Sequence, residues 1–347
     1  MRKKWDWLLF SLIIALGTIS LLIIFSINKS LATNQLIFWF LGLIVLFVVS
    51  QFDYHTWQGT TKFLYIGAVA SLVMLLIMGD PIRGSVRWID LGFFRIQPSE
   101  IAKAAMILTL ALFYKDKSAR DIKNVVLSFL LVLPPAFLVT IQPDIGNAIS
   151  FLAIWFGINL AAGFKIKHVI VFVLGAVVLA TVFYELLAPY QKNRLVTFIN
   201  PNADPLGTGY NIIQSKIAIG SGKLLGRGFG QGSQSQLNFL PEAESDFIFA
   251  SIAEQLGFVG AALLLSLFTW LIVKIVSFAN NRDRYGQLVL VGIASFLTIQ
   301  FLVNVGMNLA ILPVTGITFP FVSYGGSSLI TSLFLIGLVY SIKAHRT

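Results

Sequence analysis

The sequence contains no cysteine and few charged residues. The absence of cysteine excludes disulfide bonds and thiolate metal sites. The three histidines, His55, His168 and His345, lie too far apart to form a metal-binding motif. Charged residues make up 12% of the chain and hydrophobic residues 57%, whereas globular domains carry about 25% charged residues. A water-soluble fold could not hide so much apolar surface, so the composition predicts a protein whose main solvent is lipid.

Long apolar stretches separated by polar turns predict about ten membrane-spanning helices, because one span takes about 20 residues. The predicted spans are 7–27, 36–52, 61–79, 98–114, 124–142, 147–163, 168–188, 247–273, 286–311 and 327–342. The first follows a basic N-terminus without a convincing cleavage pattern, so it is predicted to be a retained helix and not a signal peptide. The predicted fold class is all-α: a polytopic integral membrane protein, with residues 1–347 forming one domain.

The distribution of basic residues predicts the orientation of these spans. If the N-terminus is cytoplasmic, the inner segments hold Arg2, Lys3, Lys4, Lys62, Lys115, Lys117, Arg120, Lys123, Lys165, Lys167, Lys274, Arg282, Arg284, Lys343 and Arg346, and the short outer loops hold only Lys29, Arg83, Arg87 and Arg95. Cytoplasmic loops of membrane proteins are enriched in Lys and Arg. Both termini are therefore predicted to be cytoplasmic, and the net charge of +10 reflects topology and not a nucleic-acid partner.

A long outer loop, 189–246, is predicted between the seventh and eighth spans. Loops of this length are often functional. Within it, Tyr210, Ile213 and Ile217 recur at helical spacing, which predicts a short amphipathic helix on the outer membrane surface. The glycine-rich stretch 220–232 lacks the Gly-Lys-Ser/Thr ending of a nucleotide-binding loop. It is instead predicted to bring flexible backbone close to a substrate or a partner.

Charged residues occur where the bilayer makes them costly. Glu100 and Lys103 stand three residues apart at the start of the fourth span, so they share a helix face and can pair. This pair either forms an interfacial ion pair whose Lys extends outward or lines a polar cavity that opens outward; the second interpretation is favoured. Asp144 lies between the fifth and sixth spans, where it or Asn147 could cap a helix, line the same cavity, or do both.

Three carboxylates, Glu242, Glu244 and Asp246, close the long outer loop. Asp246 adjoins the eighth span and could simply cap it. Capping by Asp246 would stabilise its ionised form and weaken it as a base. A catalytic role therefore needs apolar burial or the two neighbouring glutamates to act in the opposite direction, and the spacing alone leaves both roles open.

Basic and aromatic residues make a patch in the other outer segment, 80–97. Arg83, Arg87 and Arg95 accompany Trp88. The patch could anchor lipid headgroups. It could also recognise a phosphate-bearing or sugar ligand, because guanidinium groups match phosphate oxygens and Trp stacks on sugar faces.

Taken together, these motifs resemble the SEDS family of shape, elongation, division and sporulation proteins. The matching strings, in order along nearly the whole chain, are Gly84-Ser-Val-Arg-Trp-Ile-Asp-Leu-Gly92, Gln97-Pro-Ser-Glu-Ile-Ala-Lys103, Gln142-Pro-Asp-Ile-Gly146, Asp204-Pro-Leu-Gly-Thr-Gly-Tyr210, Gln214-Ser-Lys-Ile-Ala-Ile-Gly-Ser-Gly222, Phe239-Leu-Pro-Glu242, Asp246-Phe-Ile-Phe-Ala250 and Phe321-Val-Ser-Tyr-Gly-Gly-Ser-Ser328. The run Gly232-Ser-Gln-Ser-Gln-Leu is most similar to the elongation branch. Ser245 departs from the Thr or His common before the acidic residue, and Gly222-Lys223 departs from a common Gly-Gly pair.

The resemblance implies a peptidoglycan glycosyltransferase of the bacterial cytoplasmic membrane. Such enzymes polymerise the lipid-linked disaccharide-pentapeptide, lipid II, on the outer face, together with a class B penicillin-binding protein and the elongation machinery. The essential acidic residue of the family corresponds to Asp246. The cavity residues correspond to Glu100, Lys103, Asp144 and Trp88, and the same strings place Arg87, Gln97, Ser99 and Ser323 with them.

The implied reaction needs one base and a source of positive charge. Asp246 would deprotonate a sugar hydroxyl, and Lys103, Arg87 or a divalent cation, Mg or Mn, would stabilise the departing lipid diphosphate. No other cofactor is expected. Two alternatives remain at this point: a flippase that moves lipid II across the bilayer, and a non-catalytic scaffold that activates a penicillin-binding protein.

Overall fold

The computed structural model describes residues 5–78, 87–90, 92, 95–172, 174–175, 192, 197–198, 200–201, 204–205, 207, 209–280 and 282–345. These residues are mostly helical. The elements are α1 (Trp7–Ile27), α2 (Lys29–Gln51), α3 (Thr56–Met78), β1 (Ile89–Asp90), β2 (Arg95–Ile96), α4 (Pro98–Lys115), α5 (Ile122–Ile141), α6 (Ile145–Ala161), α7 (Tyr210–Ser221), α8 (Ser233–Gln236), α9 (Ile248–Ser277), α10 (Arg284–Asn308) and α11 (Gly326–Ala344).

Within the described part of the chain, seven helices are long and apolar enough to cross a membrane: α1, α2, α3, α5, α9, α10 and α11. Helices α4 and α6 stand where two further spans were predicted, but α4 carries more charge and α6 is shorter. The predicted seventh span, 168–188, lies mostly outside the described residues, although 166–172 are helical.

The structure adds a short antiparallel hairpin to the all-α fold that was predicted. Strand β1 pairs with β2 in the register Ile89 to Ile96 and Asp90 to Arg95. The Asp90 side chain closes the turn by accepting from Gly92 N at 2.8 Å and from Arg95 Nε at 2.9 Å. Strands of two residues are too short to show the alternation by which a strand is recognised in a sequence.

Helix α4 lies at the centre of the bundle. It packs against α3, α5, α6, α10 and α11, and most of its residues are buried. Small residues permit close approach of the surrounding helices, as membrane helix packing requires. A Cβ atom on Gly157 of α6 would stand only 1.9 Å from Ser295 Oγ of α10. Any polar side chain at the start of α4 is therefore held inside a tightly packed frame.

An ionic cluster joins both ends of the chain at one end of the bundle, which is the cytoplasmic end in the predicted orientation. Asp6 caps α1 by accepting from Leu9 N at 2.9 Å. Its carboxylate also pairs with Lys343 Nζ at 2.7 Å and Lys274 Nζ at 3.4 Å, and its carbonyl accepts from Tyr340 Oη. Partial burial opposes ionisation, but the hydrogen bonds and the two ammonium charges keep the pKa of Asp6 below its ordinary value. We call Asp6, Lys274 and Lys343 the inner cluster.

Candidate active site

The first turns of α4 bury the predicted ion pair. Pro98 begins the helix, where its missing N–H costs nothing. Lys103 is fully buried, and its Nζ lies 2.6 Å from Glu100 Oε1. This burial is inconsistent with the interfacial interpretation, in which the Lys side chain extends outward. The other interpretation, that the pair lines a polar cavity open to the outside, stays a prediction. The second carboxylate oxygen, Glu100 Oε2, is also buried and finds no hydrogen-bond partner among the described residues.

Asn147, in the first turn of α6, links this pair to Asp144. Its Oδ1 accepts from Lys103 Nζ at 2.7 Å, and its Nδ2 donates to Asp144 Oδ2 at 2.8 Å and to Ser99 Oγ at 3.1 Å. The predicted helix cap is also present, because Asp144 Oδ1 accepts from Asn147 N at 3.3 Å. Asp144 therefore both caps α6 and belongs to the polar cluster.

Two further predicted residues, Gln97 and Arg87, also reach Asp144. Gln97 Nε2 donates to Asp144 Oδ2 at 3.2 Å. Arg87 Nε lies 3.9 Å from the same oxygen and 3.3 Å from Gln142 O, and Arg87 Nη2 donates to Pro143 O. We call Arg87, Gln97, Ser99, Glu100, Lys103, Asp144 and Asn147 the outer cluster, since its position is outer in the predicted orientation.

Asp246 does not cap α9. The helix begins at Ile248 with Phe247 in the capping position and without a capping side-chain bond. The backbone of Asp246 is instead fixed from α10, because its carbonyl accepts from Asn304 Nδ2 at 3.0 Å and from Asn308 Nδ2 at 2.9 Å. Asp246 is partly exposed, so a partly accessible carboxylate is carried on a rigid turn.

One short segment, 315–317, lies between Asp246 and the start of α6. A Cβ atom on Gly316 would stand 3.5 Å from Asp246 Oδ2, and a Cβ atom on Gly146 would stand 2.6 Å from Ile317 Cγ1. Asn304 Nδ2 also donates to Ile317 O at 2.8 Å, which ties the segment to the α10 residue that holds Asp246. The segment 315–317 therefore adjoins both Asp246 and Gly146, and Gly146 lies in sequence between Asp144 and Asn147 of the outer cluster.

The loop before α11 supports the Asp246 turn. Ser323 Oγ donates to Ser245 O at 2.6 Å and accepts from Phe319 N at 2.8 Å, and Tyr324 N donates to Glu244 O at 2.8 Å. These bonds make Ser323 a residue that positions the turn. This loop belongs to the matching string 321–328, so the string and the acidic segment come together in space.

The match to a family model decides the relationship of this chain to known proteins. The model for the FtsW/RodA/SpoVE cell cycle proteins matches residues 4–347. The chain belongs to the FtsW/RodA/SpoVE family. This membership and the apolar helices make it a multi-pass protein of the bacterial cytoplasmic membrane, which confirms the predicted location.

Several known proteins are similar to this chain over most of their length. Peptidoglycan glycosyltransferase MrdB of Escherichia coli is 40% identical over 309 residues, which cover 88% of this chain and 84% of that protein. RodA, the rod shape determining protein of Thermus thermophilus, has a TM-score of 0.76 and 29% identity over 99% of this chain and 98% of that one. A chain of a peptidoglycan synthase complex, solved for its coordination of polymerization and crosslinking, has a TM-score of 0.85 and 29% identity over 98% of both chains.

Several residues of this family member's site carry no prediction from the sequence. Asn304 and Asn308 hold the Asp246 carbonyl, and their signal was available: two amides one helical turn apart in an otherwise apolar, uncharged run.

The predicted basic and aromatic patch is described only in part. Trp88, next to Arg87 in the sequence, is half-buried, and Arg83 lies outside the described residues. The structure describes the other two arginines of the patch, Arg87 and Arg95, and they have different partners. Arg95 pairs with Asp90, whereas Arg87 joins the outer cluster.

The site has little capacity to hold a metal by itself. The described residues include no group of three or more Asp, Glu or His side chains placed to bind one. The Asp144 carboxylate is occupied by Asn147 and Gln97. Glu100 Oε2 is buried and lacks a partner among the described residues, and one such oxygen is not a metal site, so a divalent cation here would need most of its oxygen ligands from a substrate or from water.

Proposed function

We propose that this chain is a peptidoglycan glycosyltransferase that polymerises lipid II into glycan strands on the outer face of the cytoplasmic membrane during cell elongation. One observation carries the proposal: Asp246, a partly exposed residue whose carbonyl is fixed from α10, borders the segment 315–317, and this segment also borders Gly146, which lies between Asp144 and Asn147 of the buried outer cluster. A carboxylate and nearby cationic groups are what transfer from a lipid diphosphate requires. The names of MrdB and of the solved synthase complex support the same reaction.

The topology of this enzyme follows from the charge distribution. The chain forms a single membrane domain of ten spans, with both termini in the cytoplasm and the long loop 189–246 outside. The basic residues of the inner cluster then face the cytoplasm, as the enrichment of Lys and Arg there requires. Asp246, the carboxylate of the long loop, and the start of α4 stand at the opposite, outer end.

Asp246 acts as the general base. Its carboxylate takes the proton from the attacking sugar hydroxyl, whose oxygen forms a bond to the anomeric carbon of the donor. The bond between that carbon and the diphosphate oxygen breaks, and the lipid diphosphate keeps the electron pair. The diphosphate leaves without a proton, so a second carboxylic acid is unnecessary. A single displacement inverts the anomeric configuration.

Arg87 is the cation best placed to receive the diphosphate. It is half-buried, and its guanidinium lies beside Asp144 at the edge of the outer cluster. Planar guanidinium groups match phosphate oxygens in geometry and charge. Lys103 is fully buried and engaged with Glu100 and Asn147, so its role is to fix those two side chains. A Mg or Mn ion would be held mainly by the diphosphate and by water, because Glu100 Oε2 is buried.

A class B penicillin-binding protein, which cross-links the strands, is the proposed partner, within the elongation machinery. The support is the likeness to a chain of a peptidoglycan synthase complex described by polymerization and crosslinking. In this arrangement the glycan leaves Asp246 on the side of the membrane where the transpeptidase works.

The test is polymerisation of lipid II by the purified chain in detergent, with and without its penicillin-binding protein. We expect glycan strands with the partner present, and their loss in Asp246→Ala. Detergent removes the bilayer, so a flippase would give no strands under either condition. Strands that form with the partner and survive Asp246→Ala would assign the chemistry to the partner and make this chain a scaffold.

A further inference from the structure

Helix α9 is broken at Gly257, where the backbone turns to φ +68°. The break leaves backbone groups on both sides without helical partners, and the glycine-rich segment 222–232 supplies them. The bonds are Arg227 N to Glu254 O at 2.9 Å, Gly228 N to Gln255 O at 3.1 Å, Phe258 N to Lys223 O at 2.9 Å and Val259 N to Leu224 O at 3.1 Å. Irregular backbone is tolerated at membrane depth when its polar groups are satisfied in this way.

Glycine lets this segment lie flat against α9. A Cβ atom on Gly222 would stand 1.9 Å from Ala253 O, and a Cβ atom on Gly226 would stand 2.1 Å from Gln255 O. Any larger side chain would push the segment away from the helix and break the bonds across the gap. The segment therefore has a fixed height along α9, which can be measured along the helices.

The distance of this segment from the inner cluster can be calculated along two helices, α1 and α9. In α1, 20 residues separate Asp6 from Ser26, whose Oγ donates to Gln255 Oε1 at 2.9 Å; at 1.5 Å per residue this is about 30 Å. In α9, 19 residues separate Lys274 from Gln255, about 28 Å. The hydrocarbon core of a bilayer is about 30 Å thick. The contact between Ser26 and Gln255 thus marks the opposite edge of that core.

The glycine-rich segment reaches below this edge. Lys223 and Leu224 bond to residues of α9 that lie three and four positions nearer the inner cluster than Gln255, a depth of about 5 Å. At this depth Leu224 is 67% exposed and Leu225 is 80% exposed. Lys223 and Arg227, the basic residues on either side, are also exposed.

We propose that the segment 222–232 is a re-entrant anchor that inserts Leu224 and Leu225 among the acyl chains of the outer leaflet. The occupant of this surface is phospholipid, because the two leucines lie at the depth of hydrocarbon. The backbone of Arg227 lies at the edge of that core and the backbone of Lys223 lies just below it, so both cationic side chains can reach the headgroup phosphates. Basic side chains snorkel from such positions to the interface. The assignment of the anchor to the outer leaflet rests on the proposed orientation of the chain. It does not depend on the proposed glycosyl transfer.

The anchor also fixes the loop that leads to Asp246. Glu254, fully buried beside the break in α9, accepts from Gln234 N at 2.8 Å and from Ser235 N at 3.1 Å. Helix α8 is therefore held by the same turn of α9 that holds the anchor. Insertion of the leucines in lipid sets the height of the whole segment between α7 and Asp246 relative to the membrane surface.

Site-directed spin labelling tests the anchor directly, since the native chain has no cysteine. The variant is Leu225→Cys, with Leu224→Cys as a second position if the first fails to fold. Val259→Cys provides a reference in lipid and Pro241→Cys a reference in water, because Val259 is exposed on α9 inside the core and Pro241 is exposed in the turn before Asp246. Each labelled protein is reconstituted alone in vesicles of phosphatidylethanolamine and phosphatidylglycerol, and its collisions with oxygen and with a water-soluble nickel complex are measured.

We expect the label at Leu225 to behave like the label at Val259, with frequent oxygen collisions and a loss of nickel collisions relative to Pro241. If the label at position 225 collides with the nickel complex as often as the label at position 241, the segment lies in water and the proposal is overturned. The measurement is repeated with the penicillin-binding protein present. A large fall in oxygen collisions at Leu225 but not at Val259 would also overturn it, because the leucines would then be a protein-docking surface. None of these outcomes depends on polymerase activity.

Discussion

The two ends of the helix bundle each carry an ionic cluster. The clusters differ in how deeply their charged groups are buried and in whether every buried oxygen has a hydrogen-bond partner. In the inner cluster, Lys274 and Lys343 keep 25% and 21% of their side-chain surface exposed while both pair with Asp6. In the outer cluster, Lys103 and Glu100 are 0% and 4% exposed, and Glu100 Oε2 has no partner in the described part of the structure.

This difference bears on the proposed function, in which the inner cluster is structural and the outer cluster serves the reaction. Partly exposed ion pairs cost little to form and contribute about 0–1 kcal/mol. Burying a pair costs several kcal/mol of desolvation per ion, and apolar residues would often be at least as stable. A buried pair with an unsatisfied oxygen therefore has little value for stability alone. The proposed function gives the buried charges of the outer cluster a different use, which is to act with Asp246 on the substrate.

The largest effect is expected from Asp246→Asn. Loss of the base should lower the rate of lipid II polymerisation about 10²–10⁴-fold, the usual contribution of general base catalysis. The amide is nearly isosteric, and the backbone bonds to Asn304 and Asn308 involve only the carbonyl, so the thermal unfolding midpoint should be unchanged. Polymerisation at the wild-type rate would exclude Asp246 as the base.

Lys103→Met should damage stability and activity together. It leaves Glu100 buried without its cation, which costs about 3–5 kcal/mol when one partner of a buried pair is removed. The double variant Glu100→Gln with Lys103→Met should recover most of the unfolding midpoint but little of the polymerisation rate. Recovery of both would show that the pair is structural, like the inner cluster, and would remove the contrast between the two ends.

Gly316→Ala tests the contact between the segment 315–317 and Asp246. The new methyl would lie 3.5 Å from Asp246 Oδ2, at a residue whose φ is +73°, a conformation that costs about 1–2 kcal/mol for an L-residue. We expect a polymerisation rate about tenfold lower, as a loss of ~1.4 kcal/mol gives. Gly220→Ala in α7 is the matched control, because nothing lies within 4 Å of its added Cβ; an equal loss there would contradict the account.

Asp6→Asn, in the inner cluster, should have the smallest effect. We expect a loss of about 1 kcal/mol or less, seen as a small fall in the unfolding midpoint, with polymerisation unchanged. The folded-state pKa of Asp6 lies below the ordinary value of 3.8, so its stabilisation is complete above about pH 5 and is lost as the pH falls through the folded-state pKa. The variant should therefore show less acid destabilisation than the wild type; a loss of polymerisation at neutral pH would contradict a purely structural role.

The sequence predicted the positions of most of the described long helices, because long apolar runs mark membrane spans. One start was wrong, since the predicted span 36–52 begins seven residues after α2, which starts at Lys29. The prediction 7–27 coincides with α1, and the prediction 98–114 differs from α4 by one residue at its end. The pairing of Glu100 with Lys103 followed from a spacing of three on a helix. These features depend only on neighbours along the chain.

Features that depend on distant contacts could not be predicted. The carbonyl of Asp246 is held by α10, and its side chain adjoins Gly316, some 70 positions later in the sequence. The break in α9 gave no signal, because glycine is common within membrane helices and the helix is broken at Gly257 only where the glycine-rich segment takes up its bonds. The helix predicted from Tyr210, Ile213 and Ile217 is present as α7. Its face against the protein, Ile212, Ser215 and Ala218, was not predicted, whereas Ile217 is exposed and its contact with the membrane stays a prediction.

The central claim is that Asp246 and the outer cluster act on one substrate, and a double-mutant cycle on the polymerisation rate tests it most directly. Asp144→Asn preserves the helix cap, since Asn also caps well, while it removes the negative charge beside Arg87. Residues that act as a unit are strongly non-additive. We expect the double variant Asp246→Asn with Asp144→Asn to be no slower than Asp246→Asn alone. A further fall equal to that of Asp144→Asn alone would show that the two carboxylates act independently.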